Sequence, residues 1–312
     1  MVITKKSAAI IGSGPAGLIC AIQLANNGFN VKVFDELDEF GGMLAYGVPE
    51  FRIPLKTVQK KINDAKKLGI KFEHKKISSI KSLLKNFGGE FDYAVIAIGA
   101  GKGLEAKVKG KKNNNIIDAL DFLSKAKLEN EKMVSEKDNV AVIGGGNSAI
   151  DAARIAKKQG AHVTIIYRRT ESEMPALRTE IELAKKEGIH FEFLRHPIEY
   201  NHKGNKIINV TCAEMALSGT DEQGRKKPVE TGKTCSYAHT KVILAIGQRH
   251  DFSWLEKEGI KTNGKSIIVN ENNETSLKKV YACGDCVTGP KTIAQATLSG
   301  IKTAQAVIVD FK

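Results

Sequence analysis

"AAIIGSGPAGLICAIQLANNGFNVKVFDE", residues 8–36, decides the fold. Four apolar residues, Ala8 to Ile11, read as a buried strand. Gly12-x-Gly14-x-x-Gly17 follows at once, then small and apolar residues at helical spacing, a turn at Gly28, and a second strand, Val31 to Phe34, ending in Asp35. Each residue has a physical task in a βαβ unit that holds a dinucleotide. Gly12 permits a tight turn, Gly14 lets a pyrophosphate approach the backbone, and Gly17 lets the helix pack closely on the strand. The helix N-terminus faces the phosphates. Asp35 stands where a carboxylate accepts hydrogen bonds from ribose hydroxyls.

A second unit begins at Asn139, in "NVAVIGGGNSAIDAARIAKKQGAHVTIIYRRTESEMP" (139–175). Its turn reads Gly144-x-Gly146-x-x-Ala149, with alanine in the third place. Its second strand ends in Tyr167-Arg168-Arg169 where the first unit has an acid. A carboxylate there repels a 2′-phosphate, whereas a guanidinium grips it through paired, charge-assisted hydrogen bonds. The first unit is therefore expected to take an unphosphorylated adenosine ribose, and the second NADP(H). The competing reading makes Arg168 and Arg169 solvated charges on a basic chain.

Segments containing "AIG" occur twice, "YAVIAIGAG" (93–101) before the second unit and "KVILAIGQR" (241–249) after it. This placement predicts an α/β fold with two Rossmann-like dinucleotide-binding domains, one inserted in the other. The outer domain is expected to span 1–118 and 242–312, and the insert 119–241. "NIIDALDFLSKAK" (115–127) is expected to be the outgoing linker. After the return come a strand, a loop with Gly284 and Asp285, and a C-terminal helix from about Thr292.

Composition narrows the function classes. The net charge is +13, from 48 Lys and Arg against 35 Asp and Glu. The lysines are spread through every segment instead of gathering into an aromatic-laced stripe, so no nucleic-acid role is expected. An acidic electron carrier is the partner that such a charge suits. No apolar run has the length of a membrane span, and the N-terminus runs into a strand without a signal peptide, so no membrane role is expected. Five scattered cysteines do not make a secreted disulfide framework, and a cytoplasmic location is expected. The seven histidines share no metal-ligand spacing, and no metal is expected.

The stretch "ACGDCVTGP" (282–290) carries Cys283 and Cys286 around Gly284 and Asp285. Two readings compete. The cysteines are a redox dithiol, which would make the chain a disulfide reductase, or they are small residues flanking an aspartate that holds a cofactor.

The whole chain resembles the glutamate synthase small (β) subunit group of flavoprotein reductases. "GGMLAYGVPEFRIP" (41–54), the 144–176 stretch and "GDCVTGPKTIAQA" (284–296) carry the resemblance. It implies FAD on the outer domain, NADPH on the insert, and hydride transfer between stacked rings, for which no general acid or base is nominated. Carried over, Gly12, Gly14, Ala16, Gly17, Asp35, Gly42, Met43, Gly284, Asp285, Thr292 and Ile293 would touch FAD. Asp285 would bond ribityl and phosphate-proximal hydroxyls, and the amides of Thr292 and Ile293 would face the flavin N1 and O2 region. Gly144, Gly146, Asn147, Ser148, Ala149, Arg168 and Arg169 would hold NADPH. Related disulfide reductases place their reactive cysteines elsewhere, in stretches that hold none here, so Cys283 and Cys286 are expected to serve by their small bulk. Glutamate synthase members begin with a Cys-rich iron–sulfur domain, whereas Gly12 already opens the fingerprint here. Four cysteines in a cluster-binding arrangement are lacking. The chain is therefore expected to be the input module of an electron-transfer system, an oligomer with itself or another chain, that passes electrons to an iron–sulfur protein.

Overall fold

The computed structural model describes residues 6–221 and 224–311. It divides the chain into two units. The first takes Met1–Tyr46, Glu50–Lys102 and Gln248–Lys312, of which 1–5 and 312 lie outside the described residues. The second takes Gly47–Pro49 and Gly103–Gly247.

The first unit is built on a parallel sheet with the order Val280–Ala282, Tyr93–Ile96, Ser7–Ile11, Asn30–Asp35, Lys71–His74. Ser7–Ile11 lies in the middle and is covered on both faces, which is why Ala8 to Ile11 form an unbroken apolar run without alternation. The helix Pro15–Asn26 packs against the C-terminal helix Ile293–Phe311. Their approach is close at Gly300, where a Cβ would lie 2.2 Å from the Ala16 carbonyl oxygen.

The second unit repeats this plan. Its parallel sheet has the order Ile116–Asp118, Lys241–Leu244, Asn139–Ile143, His162–Tyr167, His190–Phe193. It adds an antiparallel sheet of Arg195–Lys203, Lys206–Thr220 and Lys226–Tyr237, which has no counterpart among the described residues of the first unit.

The expected boundaries, 118/119 and 241/242, fall inside the second unit. Lys241–Leu244, read as the return to the outer domain, pairs in parallel with Asn139–Ile143 on one side and Ile116–Asp118 on the other. The expected linker 115–127 is likewise structural. It contains a strand and then the helix Ala119–Ser124, whose N-cap Asp118 accepts from the Leu120 amide at 2.8 Å. Each unit therefore keeps its own "AIG" strand, and the chain crosses at 102/103 and 247/248.

Among the described residues no helix is long and apolar enough to cross a membrane, and no group of three His, Cys, Asp or Glu is arranged to hold a metal ion.

Inside the second unit, Arg154 is buried on the helix Asn147–Lys158. It donates from Nε (2.9 Å) and Nη2 (2.6 Å) to Glu187 and from Nη1 to Glu180 at 2.8 Å, tying that helix to Arg178–Lys186 and its end. Removing one member of a buried ion cluster strands the others' charge. Arg154→Ala is expected to cost ~3 kcal/mol of unfolding free energy, read by urea denaturation. A loss under 1 kcal/mol, the range of an exposed pair, would show that the cluster does not hold the helices.

Candidate dinucleotide-binding sites

Both units close their glycine turns by the same contact. Gly12 has φ +104° and donates its N–H to the Phe34 carbonyl at 2.7 Å. A Cβ there would lie 2.2 Å from the carbonyl oxygen of Ala97, the alanine of the first "AIG". Gly144 has φ +143° and donates to Ile166 at 3.1 Å. Its Cβ would lie 2.2 Å from the carbonyl oxygen of Ala245, the alanine of the second. Only glycine fits either place.

The second glycine of each turn meets the opposite situation. A Cβ at Gly14 would have no atom within 4 Å, and at Gly146 the nearest atom, Pro175 Cγ, lies at 4.0 Å. These two residues are also the N-caps of Pro15–Asn26 and Asn147–Lys158, and neither helix start has a side-chain cap. No side chain caps either helix start and the second glycine borders open space, the arrangement that receives a phosphate. At the third place Gly17 is required, because a Cβ would lie 2.0 Å from the Gly12 carbonyl oxygen, whereas Ala149 sits buried in the second unit.

In the first unit, Asp35 is buried and already bonded. Its Oδ2 accepts from the Ser13 amide (2.7 Å) and from the Ser13 hydroxyl, and its Oδ1 accepts from the Leu37 amide at 3.0 Å. Ser13 Oγ in turn accepts from the Gly41 amide at 2.8 Å. This buried serine, an unmarked x position of the motif, anchors both the acid and the Gly41-Gly42 loop. Oδ1 keeps lone-pair capacity for a ribose hydroxyl. A Cβ at Gly42 would lie 2.8 Å from the Gly14 Cα, so that loop borders the phosphate turn, and Met43 starts the short helix that follows.

The loop at Gly284 reaches the same place from the far end of the chain. Its Cβ would lie 2.8 Å from the Ala16 Cβ, and its amide donates to Ser299 Oγ at 3.0 Å. Next to it, Asp285 Oδ1 is buried with no hydrogen-bond partner among the described residues. Desolvation raises this carboxyl to about 6, against the opposing pull of the Lys291 amide and charge. A buried acceptor left unmade is costly, and a ligand hydroxyl would satisfy it. These residues fit a dinucleotide.

Thr292, expected to face the flavin, caps its own helix. Its amide donates to Gln295 Oε1 at 3.2 Å while the Gln295 amide donates to Thr292 Oγ1 at 3.3 Å, a reciprocal cap that keeps the Thr292 N–H for the helix itself. Ile293 is exposed at the helix start.

Cys283 and Cys286 are both buried. Cys286 Sγ donates to the Cys283 carbonyl at 3.1 Å and lies 3.5 Å from that of Ile96. Burial pushes Cys286 up to about 12 and Cys283 well above its ordinary value. Neither thiol is a nucleophile in this setting.

In the second unit the two arginines part company. Arg169 is buried, donating from Nη2 to Asp221 at 2.8 Å and from Nε to the Lys226 carbonyl at 2.8 Å. It ties the strand end to the antiparallel hairpin, which is not the role expected of it. Arg168 is exposed and has no hydrogen-bond or ion-pair partner among the described residues. Partial desolvation, and then the like charges of Arg169 and Arg225, press it below its ordinary value. It lines a cavity of about 240 Å³ with His196, Met215, Pro228 and Glu230. His196 was not singled out by its sequence context. Asn147 accepts from the Leu177 amide at 3.0 Å, and Ser148 is exposed at the helix start.

Comparison with known proteins identifies the family and the fold. A family model described as pyridine nucleotide-disulphide oxidoreductase matches residues 6–300. The beta subunit of the NADP(+)-dependent formate dehydrogenase of Moorella thermoacetica is 33% identical over 98% of this chain and 44% of its own length. The small chain of the NADPH glutamate synthase of Escherichia coli is 31% identical over 98% of this chain and 68% of its own. Among solved structures, FprA of Mycobacterium tuberculosis in complex with NADPH has the same fold, with a TM-score of 0.81 at 17% identity over 99% of this chain and 85% of that one. The chain spans half or less of the length of several curated relatives it matches.

The glycines separate folding from binding. Gly14→Ala is expected to change unfolding free energy by less than about 0.5 kcal/mol while weakening nucleotide binding, because its new methyl meets only the phosphate space. Gly12→Ala is expected to lose both, because a carbonyl blocks its methyl. Thermal melting and equilibrium dialysis of the two variants check this, and equal destabilisation by both would refute it.

Proposed function

The chain belongs to the pyridine nucleotide-disulphide oxidoreductase family, and from that premise we propose that it is an FAD-dependent NADPH oxidoreductase that feeds electrons to a protein acceptor. One observation carries the reading. Two copies of the same glycine-and-carbonyl turn lead to second strands that end in opposite charge, a bonded carboxylate at Asp35 and an unpartnered guanidinium at Arg168. An acid suits an unphosphorylated ribose, and a free guanidinium suits a 2′-phosphate.

In the first unit, Gly14 and the uncapped helix start would receive the FAD pyrophosphate, Asp35 a ribose hydroxyl, and Asp285 Oδ1 a ribityl hydroxyl. In the second, Gly146 and the Asn147–Lys158 helix start would receive the NADPH pyrophosphate, and Arg168 its 2′-phosphate. Bound together, these groups would supply hydride transfer from nicotinamide to flavin. The protein's part is binding and orientation, and no side-chain proton donor is required. Relatives named as a beta subunit and a small chain support onward transfer to a partner chain, which we read as an iron–sulfur protein. The net charge of +13 favours an acidic docking face on that partner.

Arg168→Ala is expected to raise KM for NADPH about ten- to hundredfold, as a charge-assisted hydrogen bond is worth ~1.5–3 kcal/mol, and to leave NADH kinetics unchanged. Arg169→Ala is expected to lower the melting temperature instead. Steady-state rates with both donors and an artificial acceptor decide this, and a native preference for NADH untouched by Arg168→Ala would sink the assignment.

Asp285 gives a pH test. Because its folded value is raised from 3.8 to about 6, its contribution to stability without ligand is fully present below 3.8 and lost as pH rises through about 6. A hydroxyl donor prefers the ionised carboxylate, so FAD affinity is expected to strengthen as pH rises through about 6. Flavin fluorescence titration reads the affinity, and Asp285→Asn should flatten its pH dependence.

A further inference from the structure

The cysteines that nothing above uses are Cys212 and Cys235. They face each other directly across the antiparallel ladder of Lys206–Thr220 and Lys226–Tyr237. Residues opposed in this way lie on the same face of a sheet, and their Cα atoms are ~4.5 or ~5.5 Å apart in the two kinds of antiparallel pair. Both values fall within the ~4.4–6.8 Å that a disulfide spans. Cys235 Sγ leans toward the partner strand and lies 3.8 Å from the Cys212 carbonyl oxygen. Both residues are free thiols.

Exposure assigns them different parts. Cys20, Cys212, Cys283 and Cys286 are buried, and Cys235 is the cysteine that solvent reaches. Cys212 packs in the core between the antiparallel sheet and the second unit's parallel sheet, with Tyr200, Val210 and Val242.

We propose that Cys212 and Cys235 form an oxidation site for hydroperoxides, closing reversibly to a cross-strand disulfide. The Cys235 sulfur attacks a peroxide oxygen, the O–O bond breaks, and the leaving oxygen departs as water or alcohol, giving a sulfenic acid on Cys235. The Cys212 sulfur then displaces the sulfenic hydroxyl as water, forming the S–S bond. Two thiol protons and two electrons pass from the sulfurs to the peroxide in all, so the step balances without a further reactant. Burial pushes Cys212 up to about 12, with the neighbouring Cys235 adding to the shift, so the second step is expected to be the slow one. The bond would fix strand register beside the irregularity between Ala213 and Met215, on the same ladder that carries Met215, Pro228 and Glu230 to the Arg168 cavity.

The test treats the reduced chain with dilute hydrogen peroxide. The expected product has lost two hydrogens in mass, and peptide mapping without reductant joins the Cys212 peptide to the Cys235 peptide. Thiols titrated after denaturation should fall from the five of the sequence to three, with dithiothreitol restoring them. Cys235→Ser should keep its four remaining thiols under the same treatment. Mapping on the unsubstituted chain keeps the result independent of how that variant folds. Oxygen retained on Cys235, a disulfide joining two chains, a link to Cys20, Cys283 or Cys286, or no thiol loss at all would each overturn the proposal.

Discussion

A carbonyl oxygen stands where a side chain would begin, twice in this chain. Ala97 and Ala245 each place their C=O so close to the first glycine of a phosphate turn that no larger residue can occupy it. The contact exists because each alanine follows a strand that pairs with the strand leading into the turn, donating its own amide to Ile11 at 2.7 Å or to Ile143 at 2.9 Å. Once the turn is held down on that strand, the direction of the following helix is set. Its uncapped first turn then points at the space left by the second glycine. The binding site is thus a by-product of sheet order, since without the "AIG" strand in place the turn has nothing to close against.

On this shared scaffold the two units differ in what meets the solvent. The first turns its polar groups inward, with Ser13 bonded to Asp35 and Gly41 and a single carboxylate oxygen of Asp285 left over. The second leaves the Arg168 guanidinium exposed and buries its neighbour. Unmatched acceptors suit the hydroxyls of a ribityl chain, and an unmatched cation suits a phosphate monoester.

The parts legible in the sequence were those dictated by backbone sterics. At Gly12, Gly17 and Gly144 neighbouring backbone leaves no room for a Cβ, whereas Gly14 and Gly146 border open space. What escaped reading depends on partners distant in the chain. Arg168 and Arg169 look equivalent in sequence, and only the hairpin carrying Asp221 distinguishes them. The insertion boundaries are not legible, because an apolar strand does not announce which sheet it joins, and Lys241–Leu244 fits either by composition. Arg154 resembled any helix-surface arginine until Glu180 and Glu187 arrived from another helix. Ser13 and Gln295 lie inside sequence motifs but at positions the motifs leave open, and they act through neighbours that only the fold reveals.

Nesting also imposes an order on biosynthesis. The outer sheet needs Val280–Ala282 beside Tyr93–Ile96, so a strand edge made early waits on the ribosome for a neighbour translated almost two hundred codons later. The inner sheet draws all its strands from one uninterrupted stretch and can finish first. The nascent chain therefore carries a complete inner module inside an open outer one, and chaperone demand falls on that waiting edge.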